Sequence, residues 1–254
     1  MIIMEDTFYY DCRWSSETDE KFIDDFNMVQ DKCFQGVHTR EMFYRQYIDN
    51  PYGESVIAVV YQNGFPVASR GLWRNDIDGR EAYQPGRTCV LSICRGKGIF
   101  TEMTRRSVAL LPKNALIYNF PNNYSYPGYI KMGWKDVYEL HLRLFMSVKG
   151  FVQEHPLIID ENYYNWWLKG RDFEYIKRQG HYFLVKKIKR YAYLVVAQIP
   201  ETIAIQCTKH KGLHILFYES KKTPPFYLRH LQARHVVAKR YESCYIPKWK
   251  IDAI

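Results

Sequence analysis

Residues 88–111, TCVLSICRGKGIFTEMTRRSVALL, constrain the fold more than any other stretch of this chain. An apolar run enters a turn holding Gly96 and Gly98. Helical spacing follows, with Phe100, Met103, Ser107 and Leu111 on one face and Pro112 closing the segment. A short apolar run, ALIYNF, comes next. Strand, helix and strand in that order build a parallel crossover, whose sheet must be covered by helices. A helix that starts directly after such a turn points unpaired N–H groups and the positive end of its dipole outward. Arg95 and Lys97 add charge there, while Arg105 and Arg106 are expected on a solvated face. The turn is neither GxxxxGK[ST] nor GxGxxG, so on its own it reads either as a phosphate cradle or as a basic turn.

The flanking segments extend the sheet. ETDEKFIDDFNMVQDKCF places Phe22, Phe26, Val29 and Cys33 at helical spacing behind acidic residues. HTREMFYRQYIDNP is a second helix, with Thr39 as N-cap and Asn50-Pro51 as its stop. SVIAVVYQNGFPVASRGLWRN is a hairpin turning at Asn63-Gly64. EAYQPGRTCVLSI is a third strand, bulged at Pro85-Gly86. SYPGYIKMGW reads as a short helix and DVYELHLRLFM as a strand. The order to about residue 146 is α-α-β-β-β-α-β-α-β, which predicts an α/β (α+β) fold with a mixed central sheet flanked by helices. Beyond it, DENYYNWWLKG reads as a helix, HYFLVKKIKRYAYLVVAQI as a hairpin, LHILFYES as a strand and PPFYLRHLQARHVVAKRY as a helix. Two domains are expected, 1–146 and a smaller, basic, aromatic-rich α/β domain at 147–254. The second has roughly the first's element order without a residue-level repeat.

Charge separates the two parts. Residues 1–146 hold 17 Lys+Arg against 18 Asp+Glu, and residues 147–254 hold 19 against 9, which places the net +9 in the second part. An acidic partner is expected there, or else a solvated basic face. No nucleic-acid motif accompanies the basic residues. A hydrophobic fraction of 47% describes a packed protein, and no apolar run is long enough to span a membrane. Six scattered cysteines without a CxxC pair, and an opening MIIMEDTFYYDCRW without signal-peptide character, lead us to expect a cytoplasmic protein with free thiols. Cys207-x-x-His210 with His214 lacks a second cysteine pair, so no metal is expected.

Two motifs carry a family resemblance. Arg95-Gly96-Lys97-Gly98-Ile99-Phe100 resembles the Arg/Gln-x-x-Gly-x-Gly/Ala motif of the GNAT superfamily of acyl-CoA-dependent N-acetyltransferases, with Phe100 at the last small position. PNNYSYPGYIKMGW resembles that family's Asn-x-x-Ser/Ala-x-x-x-Tyr-x-Lys-x-Gly-Phe segment, with Asn122, Ser125, Tyr129, Lys131, Gly133 and Trp134 in register. The resemblance covers residues 17–146, and the second domain is expected to be a diverged GNAT-like unit.

The resemblance implies acetyl-CoA as co-substrate. The backbone at Val90, Leu91 and Ser92 would meet the pantetheine. The N–H groups of Arg95, Gly96, Lys97, Gly98, Ile99 and Phe100 would hold the pyrophosphate, and Asn122 and Ser125 would contact cofactor or fix their loop. Tyr129 matches the family's tyrosine that protonates the departing thiolate, a role suited to a positioned acid. A base for the acceptor amine is also needed, and the candidates are Glu81, at the start of the third strand, Tyr83 after it, or a water chain. The expected activity is N-acetyl transfer by direct attack on a small-molecule amine bearing phosphate or carboxylate, with the C-terminal domain helping to form the acceptor pocket. The alternative is a non-catalytic GNAT-like module that binds CoA or nucleic acid.

Overall fold

The structure, a computed structural model, describes residues 7–35, 39–146, 159–178, 180–189, 192–210, 215–218, 229–241 and 246. The chain divides into two compact units. The first comprises Met1–Asn119, Tyr124–Lys135 and Val237–Cys244, and the second comprises Phe120–Asn123, Asp136–Val236 and Tyr245–Ile254.

The first unit begins with a strand, β1 (Phe8–Trp14), where the sequence reading begins with a helix. Its residues are nearly all half-buried along an antiparallel ladder with the next strand. Without one wet and one dry face, the alternation that marks a strand is missing. Helix α1 (Glu20–Phe34) starts at Asp19, whose carboxylate accepts from Phe22 N at 2.8 Å, and ends at Gln35 in the left-handed region. Helix α2 (Arg40–Phe43) is capped by Thr39, as expected, but passes at once into a π turn over Tyr44–Ile48, closed by Asp49 N to Tyr44 O at 2.8 Å.

Strands β2 (Val56–Gln62) and β3 (Phe65–Arg74) form the expected hairpin, with Asn63 at φ +51° and Gly64 at φ +80°. Both positive angles are what a type I′ turn requires. Strand β4 (Ala82–Val90) pairs antiparallel with β3, Ser69 opposite Cys89 and Gly71 opposite Gly86. The register slips by one residue between those pairs, and Arg87 there has φ +51°. Helix α3 (Ile99–Leu110), strand β5 (Leu116–Asn119) and helix α4 (Tyr126–Lys131) complete the crossover. Between β4 and α3 the chain makes a 3₁₀ turn at Ser92–Cys94, where the sequence suggests continued strand.

Alternate residues of β3 serve two cores. Ser69 and Gly71 face α1 and the π turn: Gln30 Nε2 donates to Ser69 Oγ at 2.8 Å, and Tyr47 lies over Gly71, where a Cβ would meet its hydroxyl at 2.2 Å. Ala68, Arg70 and Leu72 face α3 and α4. Ala68 packs with Ala58, Val60, Ile99 and Met103, and Leu72 with Val56, Tyr83, Val108, Ile117, Tyr129 and Trp134.

The second unit contains nearly all of β6 (Lys135–Met146), then α5 (Glu161–Tyr163), capped by Asp160 and continued by a π turn at Tyr164–Leu168. Strands β7 (Phe173–Arg178), β8 (His181–Lys189) and β9 (Ala192–Ile199) form an antiparallel meander, followed by α6 (Glu201–Ala204) and β10 (Thr208–Lys209), which pairs parallel to β7. Ile176, Phe183, Val185 and Val195 form its core. Strand β11 (Ile215–Tyr218) pairs with β6.

The final described element is a strand, β12 (Arg229–Lys239), where the sequence suggests a helix. The prolines that suggest a helix start, at 224–225, lie outside the described residues. Val236, Val237 and Ala238 are fully buried, and Val237–Lys239 pair antiparallel with Asn119–Ile117 of β5. Two β-branched residues at a sheet edge that needs a partner outweigh a weak helical pattern. Among the described residues, no helix is long and apolar enough to cross a membrane.

Candidate active site

The site of interest lies where β4 leaves β5. Their parallel ladder holds only Ala82 with Leu116 and Tyr83 with Ile117, although β4 continues to Val90 and β5 to Asn119. Among the described residues, the later part of β4 therefore has no strand partner on the β5 side. The N–H and C=O of one strand residue point the same way. Leu91 N donates to Val67 O at 2.9 Å, so Leu91 faces β3 and Val90 faces the opening. Val90 O accepts from Arg95 Nε at 3.1 Å.

Beyond β4 lies the glycine turn. Gly96 and Gly98 have φ of +80° and +77°, and both are exposed. Gly98 is the N-cap of α3 and supplies no side-chain acceptor, while its carbonyl takes Thr101 N and Glu102 N at 3.1 Å. Arg95 and Lys97 are exposed beside it. Arg105 and Arg106 instead pair with Glu102 on the outer face of α3, which matches the expected solvated face.

Tyr129 is fully buried on α4. Arg70 donates through Nη2 to its hydroxyl oxygen, and the Asn119 side chain is a second partner. Arg70 lies on β3 and Asn119 at the end of β5, with β4 running between them. The phenol hydroxyl is therefore held across β4, beside its bulge and at the level where the β4–β5 ladder has ended. Burial raises the Tyr129 pKa and the Arg70 charge opposes that rise. Phe100 and Trp134 pack edge-on against the ring, with centroids at 5.5 and 4.7 Å.

Phe100 stands where the resembling motif has a small residue, and α4 accommodates it. A Cβ on Gly128 would come within 2.8 Å of Phe100 Cε1, so the ring fills the space that a side chain at 128 would need.

The other expected site residues are more dispersed. Ser125 is the N-cap of α4, where its carbonyl accepts from Gly128 N and Tyr129 N, and Asn122 is exposed in the preceding turn. Glu81 accepts from the Tyr83 hydroxyl at 2.8 Å and faces Arg74 at 3.9 Å. It precedes β4, and its partner Tyr83 shares an apolar cluster with Tyr129. Cys207 Sγ lies 3.3 Å from the Tyr164 hydroxyl and His210 Nδ1 lies 2.7 Å from Glu174, while His214 is outside the described residues.

Arg70 escapes the sequence reading. Its signal is its phase: it shares the inward face of β3 with Ala68 and Leu72, an unusual position for a guanidinium.

No family model matches the chain, and no curated protein matches its sequence. Solved structures do match. A conserved protein of unknown function from Enterococcus faecalis V583, provisionally called an N-acyltransferase, superposes with a TM-score of 0.61 over 96% of this chain and 74% of its own, at 12% identity. A GCN5-related N-acetyltransferase from Kribbella flavida gives 0.57 over 90% and 71%, at 12% identity. A Pyrococcus horikoshii protein provisionally called an acetyltransferase gives 0.51 over 96% and 92%, at 14% identity. The chain thus has the fold of the GCN5-related N-acetyltransferases, the GNAT superfamily, and at these identities the likeness is one of fold. Two of these superpositions cover 96% of the chain, so the likeness extends past residue 146.

Proposed function

We propose that the first unit binds acetyl-CoA in the opening beside β4 and transfers its acetyl group to a primary amine by direct attack. The observation that carries this reading is the placement of the Tyr129 hydroxyl across the β4 bulge, between Arg70 and Asn119, at the point where β4 and β5 part. An acid held there can protonate a thiolate as the C–S bond breaks. Val90 offers its N–H to the pantetheine chain, and its carbonyl becomes available if Arg95 swings away to meet a phosphate. The N–H groups from Arg95 to Phe100 hold the pyrophosphate at the uncapped start of α3. Ser92, in the turn after β4, and Ser125, at the N-cap of α4, would contact the cofactor from the same unit. Glu81 is already engaged by the Tyr83 hydroxyl and Arg74, so we assign the acceptor's proton to water.

The Lys+Arg excess of residues 147–254 favours an acceptor bearing phosphate or carboxylate. Calorimetry with acetyl-CoA tests the binding step, with micromolar affinity expected. Thiol release from acetyl-CoA across a panel of phosphorylated and carboxylated amines tests the transfer. Tyr129→Phe should lower kcat by about 100-fold or more while leaving acetyl-CoA affinity nearly unchanged. An absence of acetyl-CoA binding would sink the reading. Salt-sensitive retention of DNA or RNA by the same protein would favour the nucleic-acid module.

A further inference from the structure

Arg70 is the one fully buried arginine among the described residues. Its Nη1 donates to Thr104 Oγ1 on α3, its Nη2 donates to Tyr129 on α4, and the Phe100 ring lies over the guanidinium at 5.1 Å. Its Nε has no hydrogen-bond partner among the described residues. Among the described residues no carboxylate pairs with it. The Tyr129 phenol is the one titratable group among the described residues acting on Arg70, and Arg70 is the one acting on Tyr129. Tyr83 from β4 lies in the same apolar cluster and bonds to Glu81, while Thr104, Phe100 and Asn119 are uncharged. A cation buried without a counter-ion costs several kcal/mol. Such a charge is useful where a negative charge arises during a reaction, because the interaction then strengthens only in the transition state.

We propose that Arg70 is a positioning residue that holds Tyr129 in place and serves as the fixed counter-charge for the phenolate left when Tyr129 gives up its proton. The proposal rests on the acyl-transfer reading above. As the amine nitrogen bonds to the thioester carbonyl carbon, the C–S bond breaks and its electron pair stays on sulfur. The proton on the Tyr129 oxygen moves to that sulfur, giving the free thiol, and the phenolate is left beside Arg70. The new amide nitrogen releases its extra proton to water, and water reprotonates the phenolate. Without Arg70, a buried phenol would hold its proton too tightly to give it to a thiolate, since burial penalises the charged form. Thr104 completes the arrangement. Its hydroxyl accepts from Arg70 and donates to Phe100 O at 2.5 Å, which fixes the guanidinium between α3 and α4.

The test uses the full-length protein with Arg70→Met, Arg70→Lys and Thr104→Ala, each with and without Tyr129→Phe. The first readout needs no substrate. The near-ultraviolet tyrosinate signal that disappears with Tyr129→Phe should titrate at higher pH in Arg70→Met and return toward wild type in Arg70→Lys. The second readout is kcat with the acceptor amine that turns over fastest. Arg70→Met should lose about 10–100-fold in kcat with acetyl-CoA at nearly constant KM, as loss of a transition-state-only interaction does. That loss should shrink with an acetyl thioester of an acidic aromatic thiol, whose thiolate departs without a proton. Equal losses with both thioesters, or an unmoved titration, would overturn the proposal. Should Arg70→Met not fold, Thr104→Ala keeps the charge but frees one end of it, and the same two readouts should shift in the same direction by less. A wild-type protein that shows the titration coupling but acetylates no amine would refute the acyl-transfer reading and leave Arg70 a structural partner of Tyr129.

Discussion

The Phe100 ring occupies the space that a side chain on Gly128 would need, with Cε1 2.8 Å from the position of a Cβ there. The two residues form one packing unit between the start of α3 and α4, and the Phe100 ring packs edge-on against Tyr129. Gly128 lies inside a helix at an ordinary backbone angle, so alanine would by itself gain about 1 kcal/mol of helix propensity. The clash opposes this gain. Phe100 is held between Arg70 and Tyr129 and cannot swing freely. Overpacking of a filled site costs about 1–3 kcal/mol. Gly128→Ala should therefore be net destabilising in urea denaturation, and Phe100→Leu should remove most of that effect in the double variant. Additive losses would show that the two residues do not share the space.

The glycine turn gives a cleaner separation of binding from folding. Nothing lies within 4 Å of a Cβ at Gly96 or Gly98, so only the left-handed backbone opposes a side chain there. That strain is worth about 1–2 kcal/mol per residue. Gly98→Ala should lower the melting temperature modestly and weaken acetyl-CoA binding by roughly 10-fold, because relaxing φ turns the α3 N–H groups away from a bound phosphate. Lys97→Ala should leave the melting temperature unchanged and weaken binding by an amount that fades as salt is raised. Calorimetry at two ionic strengths reads both.

The contrast between Tyr129 and Arg70 explains what was legible in the sequence. Glycine turns, proline stops and the Tyr129 segment announce themselves because their function depends on local spacing. Arg70 bonds from β3 to both α3 and α4, and nothing in ASRGL says that distant segments will enclose it. The hairpin at Asn63-Gly64 and helix α1 were visible from turn chemistry and helical period. Strand β1 was not, because both its faces are half-covered. Strand β12 was misread because its partner, β5, is supplied by tertiary structure and not by its neighbours in sequence. Phe100, at the last small position of its motif, finds its complement in Gly128, 28 positions later, which local spacing does not show.

Alkaline pH should weaken the first unit in a way that identifies its buried phenols. Burial, and then the Glu81 carboxylate that accepts its hydroxyl, raise the Tyr83 pKa above its ordinary value, and Tyr61 is raised in the same sense by burial and Asp25. The unfolded chain releases these protons near pH ~10, while the folded protein still holds them. The resulting stability is fully present below about pH 10 and falls as pH rises beyond it. Tyr83→Phe should therefore flatten the decline of urea midpoints between about pH 9 and 11. An unchanged slope would mean that the Tyr83 phenol titrates normally in the folded state.

Arg240 ties the end of the described chain to the helix that carries the glycine turn. Its Nη1 donates to Leu111 O at 3.3 Å and Pro112 O at 2.5 Å, and its Nη2 donates to Val108 O at 3.3 Å. These carbonyls lie at or just past the C-terminus of α3, where orphan acceptors and the negative end of the dipole favour a cation. Just before Arg240, Val237–Lys239 cover the edge of β5, and Lys239 Nζ donates to Met132 O behind α4 at 3.2 Å. A protein cut after residue 146 keeps both motifs of the resemblance but loses the strand residues that cover β5 and both cations. Its β5 edge, built from the buried Leu116, Ile117 and Tyr118, would then be bare, which is an aggregation hazard. Residues 1–146 alone should accordingly be less soluble and melt lower than the full chain. Arg240→Ala in the full chain should cost about 1–2 kcal/mol, as the loss of a helix cap does. If the truncated protein binds acetyl-CoA and unfolds at the full-length urea midpoint, then β12 and Arg240 are dispensable to the first unit, and this account of its closure fails.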